Sequence, residues 1–183
     1  MAMASVFYLV VFLSLSISVT AQTPTNASAS LTTACDKTPS PYLCVKHLLN
    51  FNESQTADIH LLTGLMVRAA AQYAKETAEQ VYRERHGTFF GTEYEDCLND
   101  CSESLEDAVA QLDDTTKAVD VRDFGDVEAW VGAAAADTTT CNESCKGANG
   151  VPQIKQLSDR NTEFAKLCEI IVTLAKLDVQ GQH

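Results

Sequence analysis

The sequence is poor in residues that interrupt helices and lacks the common catalytic motifs. Its 183 residues include 4 prolines, 8 glycines and 1 tryptophan, and no segment shows the strict apolar and polar alternation of a β-strand. A GxSxG elbow, an HExxH motif, an EF-hand loop and a glycine-rich phosphate loop are all missing. These absences argue against a sheet protein and the common enzyme classes. We therefore expect neither catalysis nor a cofactor.

Positive charge is also scarce, and this bears on partners. There are 13 Lys and Arg residues against 25 Asp and Glu residues, which gives a net charge of −12. Such a surface disfavours nucleic acid and anionic membranes, and it attracts basic protein surfaces. The histidines lack the spacing of metal ligands, so we expect surface or capping roles for them and no metal site. They are His47, His60, His86 and His183.

Charge is absent altogether from the first 21 residues. An apolar run from Val6 to Leu15 is followed by Val19, Thr20 and Ala21, which resemble the small residues before a signal peptidase site. The run is too short to span a bilayer as a helix. We predict a signal peptide over residues 1–21, a mobile lead over 22–30 and one domain over 31–180, and hence a secreted protein.

Two matching cysteine couplets organise the rest of the chain. Cys97 and Cys101 are four residues apart, as are Cys141 and Cys145, so each pair lies on one face of a helix. If the two helices are antiparallel neighbours, Cys101 meets Cys141 and Cys97 meets Cys145, because both pairs of residue numbers have the same sum. Four interpretations fit this spacing. The cysteines could form two disulfides that link the helices, each called a rung here, or a four-thiolate zinc site. They could also be free thiols, or the twin cysteine couplets of small mitochondrial import chaperones. Secretion favours the two rungs.

Three further cysteines complete the odd total of seven. Cys35 and Cys44 flank Pro39 and Pro41, which force an extended turn, so we predict a local disulfide that folds one short helix back on the next. Cys168 is left without a partner. It lies on the apolar stripe of a predicted helix, and we expect it to be a buried and unreactive free thiol.

Four long segments repeat apolar residues at steps of three and four, which is the spacing of a helical bundle. A segment from Leu31 to Asn50, interrupted by prolines, precedes them and indicates two short helices. We therefore predict an all-α fold, an up-down-up-down four-helix bundle with an N-terminal helical hairpin, stapled by disulfides. The long segments run over about 59–85, 94–119, 127–145 and 157–175.

Three Asn-x-Ser sequons are candidate glycosylation sites. We predict N-glycans at Asn26 and Asn52. Asn142 lies between two bridged cysteines, where crowding disfavours modification.

Three stretches of the sequence resemble one protein family. They are Cys35-Asp-Lys-Thr-Pro-Ser-Pro-Tyr-Leu-Cys44, Cys101-Ser-Glu-Ser-Leu-Glu-Asp-Ala-Val-Ala-Gln-Leu112 and Asp126-Val-Glu-Ala-Trp-Val-Gly-Ala-Ala134. In this spacing they resemble the plant invertase and pectin methylesterase inhibitor family. The resemblance implies a helical hairpin on a disulfide-clamped four-helix bundle. The four cysteines shared by the family match Cys35, Cys44, Cys101 and Cys141, while Cys97 and Cys145 add a second rung.

The family resemblance also bears on the target enzyme. Members that resemble invertase inhibitors often carry Pro-Lys-Phe between the second and third bundle helices, and that tripeptide reaches into the invertase active site. Here the corresponding residues are Arg122, Asp123 and Phe124, so an acid replaces the lysine. The segment around Trp130 looks more like the pectin methylesterase branch. We expect Trp130 itself to pack between helices.

The resemblance implies a monomeric inhibitor of the cell wall or apoplast that covers the cleft of a plant pectin methylesterase in a one-to-one complex. One alternative is an inhibitor of acid invertase, cell-wall or vacuolar, that uses Arg122, Asp123 and Phe124 as its partner-binding residues. A second alternative is a non-inhibitory, disulfide-stapled helical binding module.

Overall fold

The structure, a computed structural model, describes residues 26–87, 92–148 and 150–181. The predicted signal peptide lies outside the described residues. The described chain forms six α-helices and two short 3-10 turns and contains no strand, which confirms the predicted all-α class. The helices are α1 (Ala29–Cys35), α2 (Pro41–Leu48), α3 (Ile59–Gly87), α4 (Thr92–Asp120), α5 (Phe124–Ser144) and α6 (Pro152–Gln180).

The first helix begins two residues before the predicted domain boundary at Leu31. Ser28 caps α1, since its Oγ accepts a hydrogen bond from the Leu31 backbone N–H at 3.2 Å. The Ser28 N–H donates to Gln55 Oε1 at 2.7 Å, and Gln55 Nε2 donates to the Asn26 carbonyl at 3.2 Å. Residues 26–28 are therefore tied to the 3-10 turn Asn52–Gln55, and residues 29 and 30 belong to α1.

The residues at the helix starts are ones that favour helix initiation, namely proline in the first turn and aspartate as the N-cap. Pro41 and Pro152 occupy the first turns of α2 and α6, where the missing N–H has no helical partner in any case. Asp58 and Asp123 precede α3 and α5, and the carboxylate of each accepts the backbone N–H three residues further on, at 2.8 and 3.1 Å. These caps fix where the chain turns between the long helices.

The four long helices form the predicted antiparallel bundle. Helix α3 packs mainly against α4 and α6, and α5 packs mainly against the same two helices. The start of α3 meets the end of α6, where His60 Nδ1 lies 2.8 Å from Asp178 Oδ2. The end of α6 also meets the start of α5, where Lys176 Nζ lies 2.9 Å from Glu128 Oε1. The up-down-up-down topology is confirmed.

The buried residues of the long helices repeat at the predicted steps of three and four. On α5 the buried stripe is Val127, Val131, Ala134, Thr138 and Cys141. Trp130 lies at the border of this stripe, three residues after Val127 and four before Ala134. Its side chain is 39% exposed, and the prediction that it packs between helices is wrong.

A small polar cluster holds the N-terminal hairpin on the bundle. Lys46 Nζ and His47 Nε2 of α2 lie 2.8 and 2.9 Å from Glu163 Oε1 of α6. The His47 ring also contacts the ring of Tyr73 on α3, edge to face, at 5.6 Å between centroids. His47 is buried, so it is not the surface residue that we expected. Burial alone would raise the pKa of Glu163, but the hydrogen bonds from Lys46 and His47 lower it below its ordinary value.

This cluster predicts how stability depends on pH. A carboxyl group whose pKa is lowered in the folded protein stabilises the fold above its unfolded pKa, and the contribution is lost as pH falls through the folded pKa. We expect Glu163→Gln to lower the free energy of unfolding by about 1 kcal/mol at neutral pH, as for a partly exposed ion pair. The difference from wild type should shrink below the ordinary carboxyl pKa of 4.5.

Urea denaturation at neutral and acidic pH measures this effect. Glu106→Gln, on the exposed face of α4, is the matched control and should change little. A deficit of Glu163→Gln that persists undiminished in acid would contradict the ionic explanation.

Candidate functional site

Six cysteines form three disulfides in the pairs that the sequence predicts: Cys35 with Cys44, Cys97 with Cys145, and Cys101 with Cys141. Cys101–Cys141 joins α4 to α5 with a Cα separation of 4.4 Å, and Cys97–Cys145 joins α4 to the 3-10 turn Cys145–Ala148 directly after α5 with a separation of 4.6 Å. Three of their sulfur atoms, from Cys97, Cys101 and Cys145, lie within 4.8 Å of one another, the one such group with metal-ligand spacing in the described chain. Sulfur in a disulfide is not the thiolate that zinc binds, so the rungs account for this cluster.

A buried amide lies against the two rungs. Asn161 of α6 is 1% exposed, and its Nδ2 lies 3.1 Å from Cys141 Sγ and 2.9 Å from Asn142 Oδ1. Asn142, the asparagine of the third sequon, therefore accepts a hydrogen bond from Asn161 with its side chain. Asn26 and Asn52 are exposed, whereas Asn142 is half-buried. Glycosylation at Asn26 and Asn52 remains a prediction.

Cys168 is the free cysteine of the described chain, and it is buried at 2% exposure in α6. Burial, and secondarily the negative charge of Glu169, raises the pKa of its thiol to about 12. Because the thiolate is the reactive form, this thiol is inert while α6 stays packed.

The turn between α4 and α5 carries the three predicted partner-binding residues. Arg122 has φ of 58°, a left-handed conformation that no other non-glycine residue adopts in the described chain. Its N–H donates to the Val119 carbonyl at 2.9 Å, and the Asp123 N–H donates to the Ala118 carbonyl at 2.9 Å. This is a Schellman ending, in which the left-handed position usually holds glycine. A left-handed arginine costs about 1 kcal/mol or more.

The Arg122 side chain is engaged within its own molecule. Its Nη1 lies 3.3 Å from both carboxylate oxygens of Asp178, near the end of α6, and His60 Nδ1 lies 2.8 Å from Asp178 Oδ2. Asp178 is only 4% exposed, and a buried carboxylate requires such partners. The start of α3, the α4 to α5 turn and the end of α6 thus meet at one carboxylate.

The side chains of Asp123 and Phe124 also make contacts within the protein. Asp123 caps α5 with its own side chain, and Phe124 is half-buried against the core. The large apolar side chains that project into solvent at this end are Val121, which is 75% exposed, and Leu61, which is 44% exposed. Sequence reasoning missed these two residues, as well as His60 and Asp178.

A sequence signal for Asp178 does exist. Asp178 follows Ile171 and Leu174 at steps of three and four, on the buried stripe of α6. A carboxylate at a core position predicts a buried cationic partner.

Removal of one disulfide at a time tests how much each of the two rungs contributes to the free energy of unfolding. With one rung present, the other closes only a short additional loop, so we expect replacement of Cys97 and Cys145 by Ala to cost about 2–3 kcal/mol. The matched replacement of Cys101 and Cys141 should cost about the same. Loss of all four cysteines should cost more than either pair. Guanidinium denaturation measures the three values, and a cost near zero for each single rung would contradict this expectation.

The burial of Cys168 predicts selective alkylation. Under native conditions iodoacetamide should leave Cys168 unmodified, and in urea without reductant it should label this residue alone, since the six other cysteines are bridged. Intact-mass spectrometry counts the labels. Rapid native labelling would show that α6 exposes the thiol.

In the described part of the chain, no helix is both long enough and apolar enough to cross a membrane.

Comparison with known proteins places the chain among plant proteins. It is 29% identical over 166 residues to pectinesterase 3 of Phaseolus vulgaris, covering 83% of this chain but only 28% of that protein. It is 24% identical over 143 residues to a pectinesterase inhibitor of Actinidia deliciosa, covering 78% of this chain and 76% of the relative. It is 25% identical over 171 residues to cell wall / vacuolar inhibitor of fructosidase 2 of Arabidopsis thaliana, covering 93% and 95%.

Two solved structures share the fold. Crystal structures of a pectin methylesterase inhibitor from Arabidopsis, one of them a mutant form, match with TM-scores of 0.65 and 0.61 at 20% identity. The matches cover 82% of this chain and 97% and 96% of those chains. The sequence profile described as plant invertase/pectin methylesterase inhibitor matches residues 29–174, which include both the hairpin and the bundle. The chain belongs to the plant invertase/pectin methylesterase inhibitor family.

Proposed function

We propose that this protein inhibits a plant pectin methylesterase by covering its cleft in a one-to-one complex. The observation that carries this proposal is the family match over residues 29–174, which takes in the hairpin as well as the bundle. The relative from Actinidia deliciosa, named a pectinesterase inhibitor, supports the same target. Steric occlusion requires no catalytic group, so we expect no enzymatic activity of the protein itself.

Charge supports an esterase that acts on pectin. The de-esterified product carries a carboxylate on each sugar unit that has reacted, so we expect the esterase to present cations that favour binding of this polyanion. The inhibitor has a net charge of −12, and α4 exposes acidic residues along much of its length. Complementary charges of this kind accelerate association and orient the partners. The exposed acids on α4 include Glu103, Glu106, Asp107 and Asp113.

The acidic surface should respond to the pH of the cell wall, the compartment that we propose for this protein. Asp137 of α5 lies near Asp107 of α4, and burial followed by the charge of Asp107 raises the pKa of Asp137 above its ordinary value. As pH falls, Asp137 takes up a proton before an ordinary aspartate would. The negative field towards a basic partner then weakens, so acidity tunes the affinity.

Acid invertase is the second candidate target. The relative named an inhibitor of fructosidase is matched over 95% of its length, more completely than the pectinesterase inhibitor at 76%. This chain also has Phe124 beside the α4 to α5 turn. An invertase inhibitor would act in the cell wall or in the vacuole.

A paired inhibition assay tests the proposal. The oxidised, secreted protein is titrated against a plant pectin methylesterase and an acid invertase at mildly acidic pH, and each mixture is examined by size-exclusion chromatography. We expect esterase activity to fall to completion at one equivalent, with a 1:1 complex. Reduced and alkylated protein is the control and should not inhibit. Loss of invertase activity alone would favour the second target, and no effect on either enzyme would overturn the proposal.

A further inference from the structure

We infer that the two rungs form one thiol–disulfide exchange site, in which reduction of one rung by a small thiol moves the remaining bridge to Cys101 and Cys145. The site, called the exchange site here, consists of the sulfur atoms of Cys97, Cys101, Cys141 and Cys145. Its substrates are low-molecular-weight thiols and dithiols. The inference concerns which cysteines are bonded, so it does not depend on which enzyme the protein inhibits.

Two sulfur atoms of different rungs are in contact at this site. Cys101 Sγ lies 3.3 Å from Cys145 Sγ, although each of these atoms is bonded to a different partner. Reacting atoms that are about 3–3.5 Å apart already have the separation of a near-attack arrangement. Since a disulfide bond is about 2.0 Å long, an approach of roughly 1 Å converts the contact into a bond. Intramolecular exchange between the rungs therefore competes well with attack by an external thiol.

The rung between Cys97 and Cys145 is the entry point for an external thiol. Cys145 is 3% exposed, whereas the other three cysteines of the site are 0% exposed. Cys145 also begins the 3-10 turn Cys145–Ala148, and the hydrogen bonds of a 3-10 turn are poorer than those of an α-helix. Such short terminal segments open locally at a lower free energy than a helix interior does. An external thiol therefore reaches Cys145 before it reaches Cys141, which lies within α5.

The first stage of the exchange reduces this rung. An external thiolate attacks Cys145 Sγ and forms a mixed disulfide, and the bond to Cys97 breaks with its electron pair on the Cys97 sulfur, which takes up a proton. A second external thiolate attacks the outer sulfur of the mixed disulfide. The external thiol is thereby oxidised to its disulfide, and Cys145 is released as a thiolate.

The second stage moves the other bridge and needs no further reductant. The Cys145 thiolate attacks Cys101 Sγ and forms a bond to it. The bond between Cys101 and Cys141 breaks, and its electron pair leaves with the Cys141 sulfur, which takes up a proton. The product retains one bridge, between Cys101 and Cys145. Its two thiols are Cys97 and Cys141.

The surroundings of Cys141 suit a released thiol. Asn161 Nδ2 lies 3.1 Å from Cys141 Sγ, and a thiolate accepts a stronger hydrogen bond from this N–H than a bridged sulfur does. Asn161 Oδ1 is buried and has no hydrogen-bond partner among the described residues. A buried acceptor without a donor is costly, and the S–H of a thiol is a donor. The Asn161 amide therefore offers a donor to the leaving thiolate and an acceptor to the neutral thiol.

The exchange keeps the bundle cross-linked after one bridge has been reduced. A bond from Cys101 to Cys141 joins α4 to α5, and a bond from Cys101 to Cys145 joins α4 to the turn directly after α5. Either bond closes the same end of the bundle. The second rung is therefore a reserve, because Cys101 keeps a bridge with whichever of its two neighbours is oxidised.

Replacement of Cys97 by Ala tests the exchange, because it leaves Cys145 as a thiol beside the intact bridge of Cys101 and Cys141. The oxidised variant, which also carries Cys168→Ala, is held at mildly alkaline pH and then trapped with N-ethylmaleimide in acidic denaturant. Tandem mass spectrometry locates the label. We expect the two isomers to be within roughly tenfold of each other in population, so the label appears on Cys141 as well as on Cys145. A label confined to Cys145 would overturn the inference.

Cys101→Ala in the same Cys168→Ala background is the matched control. It leaves Cys141 as a thiol beside the bridge of Cys97 and Cys145. Cys141 Sγ lies outside the group of three sulfur atoms that are all within 4.8 Å of one another, so the label should stay on Cys141. Equal transfer of the label in this control would show that exchange occurs through unfolded chains, and the role assigned to the 3.3 Å contact would be rejected.

Wild type gives a second test that does not depend on how a variant folds. The protein is treated with glutathione until one of the two rungs has been reduced, and the thiols are then trapped and located in the same way. We expect molecules labelled on Cys97 and Cys141, the two thiols of the exchanged product. If every molecule is labelled on both cysteines of one original rung, the bridge does not move and the inference fails.

Asn161→Leu in the Cys97→Ala background measures the contribution of the amide. Leucine has a similar volume but no polar atom, so neither the thiolate nor the thiol of Cys141 finds its partner. We expect the share of label on Cys141 to fall about fivefold, the change that corresponds to one net hydrogen bond. An unchanged share would show that Asn161 does not favour release of Cys141, and that step of the inference would be wrong.

Discussion

The register between α4 and α5 depends on two covalent cross-links one helical turn apart. A single disulfide fixes one distance but leaves two helices free to rotate about it. Two disulfides on the same faces, Cys97 with Cys145 and Cys101 with Cys141, fix both the rotation and the relative height of the helices. With that register set, the apolar stripes of α4 and α5 meet along the bundle core, and α3 and α6 cover the sides that remain.

The opposite end of the same pair has no covalent link among the described residues. It lies about 35 Å away along α4, at 1.5 Å per residue from Cys97 to Asp120. There the helices are held by the hydrogen bonds of the Schellman turn and by the buried carboxylate of Asp178. Disulfides thus hold one end of the bundle, and the ion pairs of Asp178 hold the other end.

Properties that depend on the helical period could be predicted from the sequence. Contacts between side chains that are far apart in the sequence could not. The two disulfides between α4 and the α5 region could be predicted from residue numbers, because facing residues of two antiparallel helices have residue numbers with a constant sum. The α5 stripe follows from steps of three and four, but Trp130 lies at the border of that stripe, three residues after Val127 and four before Ala134, so the period alone does not decide its exposure. The contacts of Asp178 with His60 and Arg122 span 118 and 56 residues, which no local pattern reveals. His47 was likewise misjudged because its partner Glu163 lies 116 residues away.

The unpaired thiol of Cys168 links covalent chemistry to the order of folding. During oxidation every exposed cysteine competes for the same partners, and a seventh thiol can capture any of the other six. Burial at 2% exposure removes Cys168 from this competition, but only after α6 has packed against α3 and α5. Correct pairing and correct docking of the last helix are therefore coupled. A chain whose α6 docks late accumulates scrambled isomers, so the yield of native protein depends on the C-terminal helix as much as on the cysteines that become bridged.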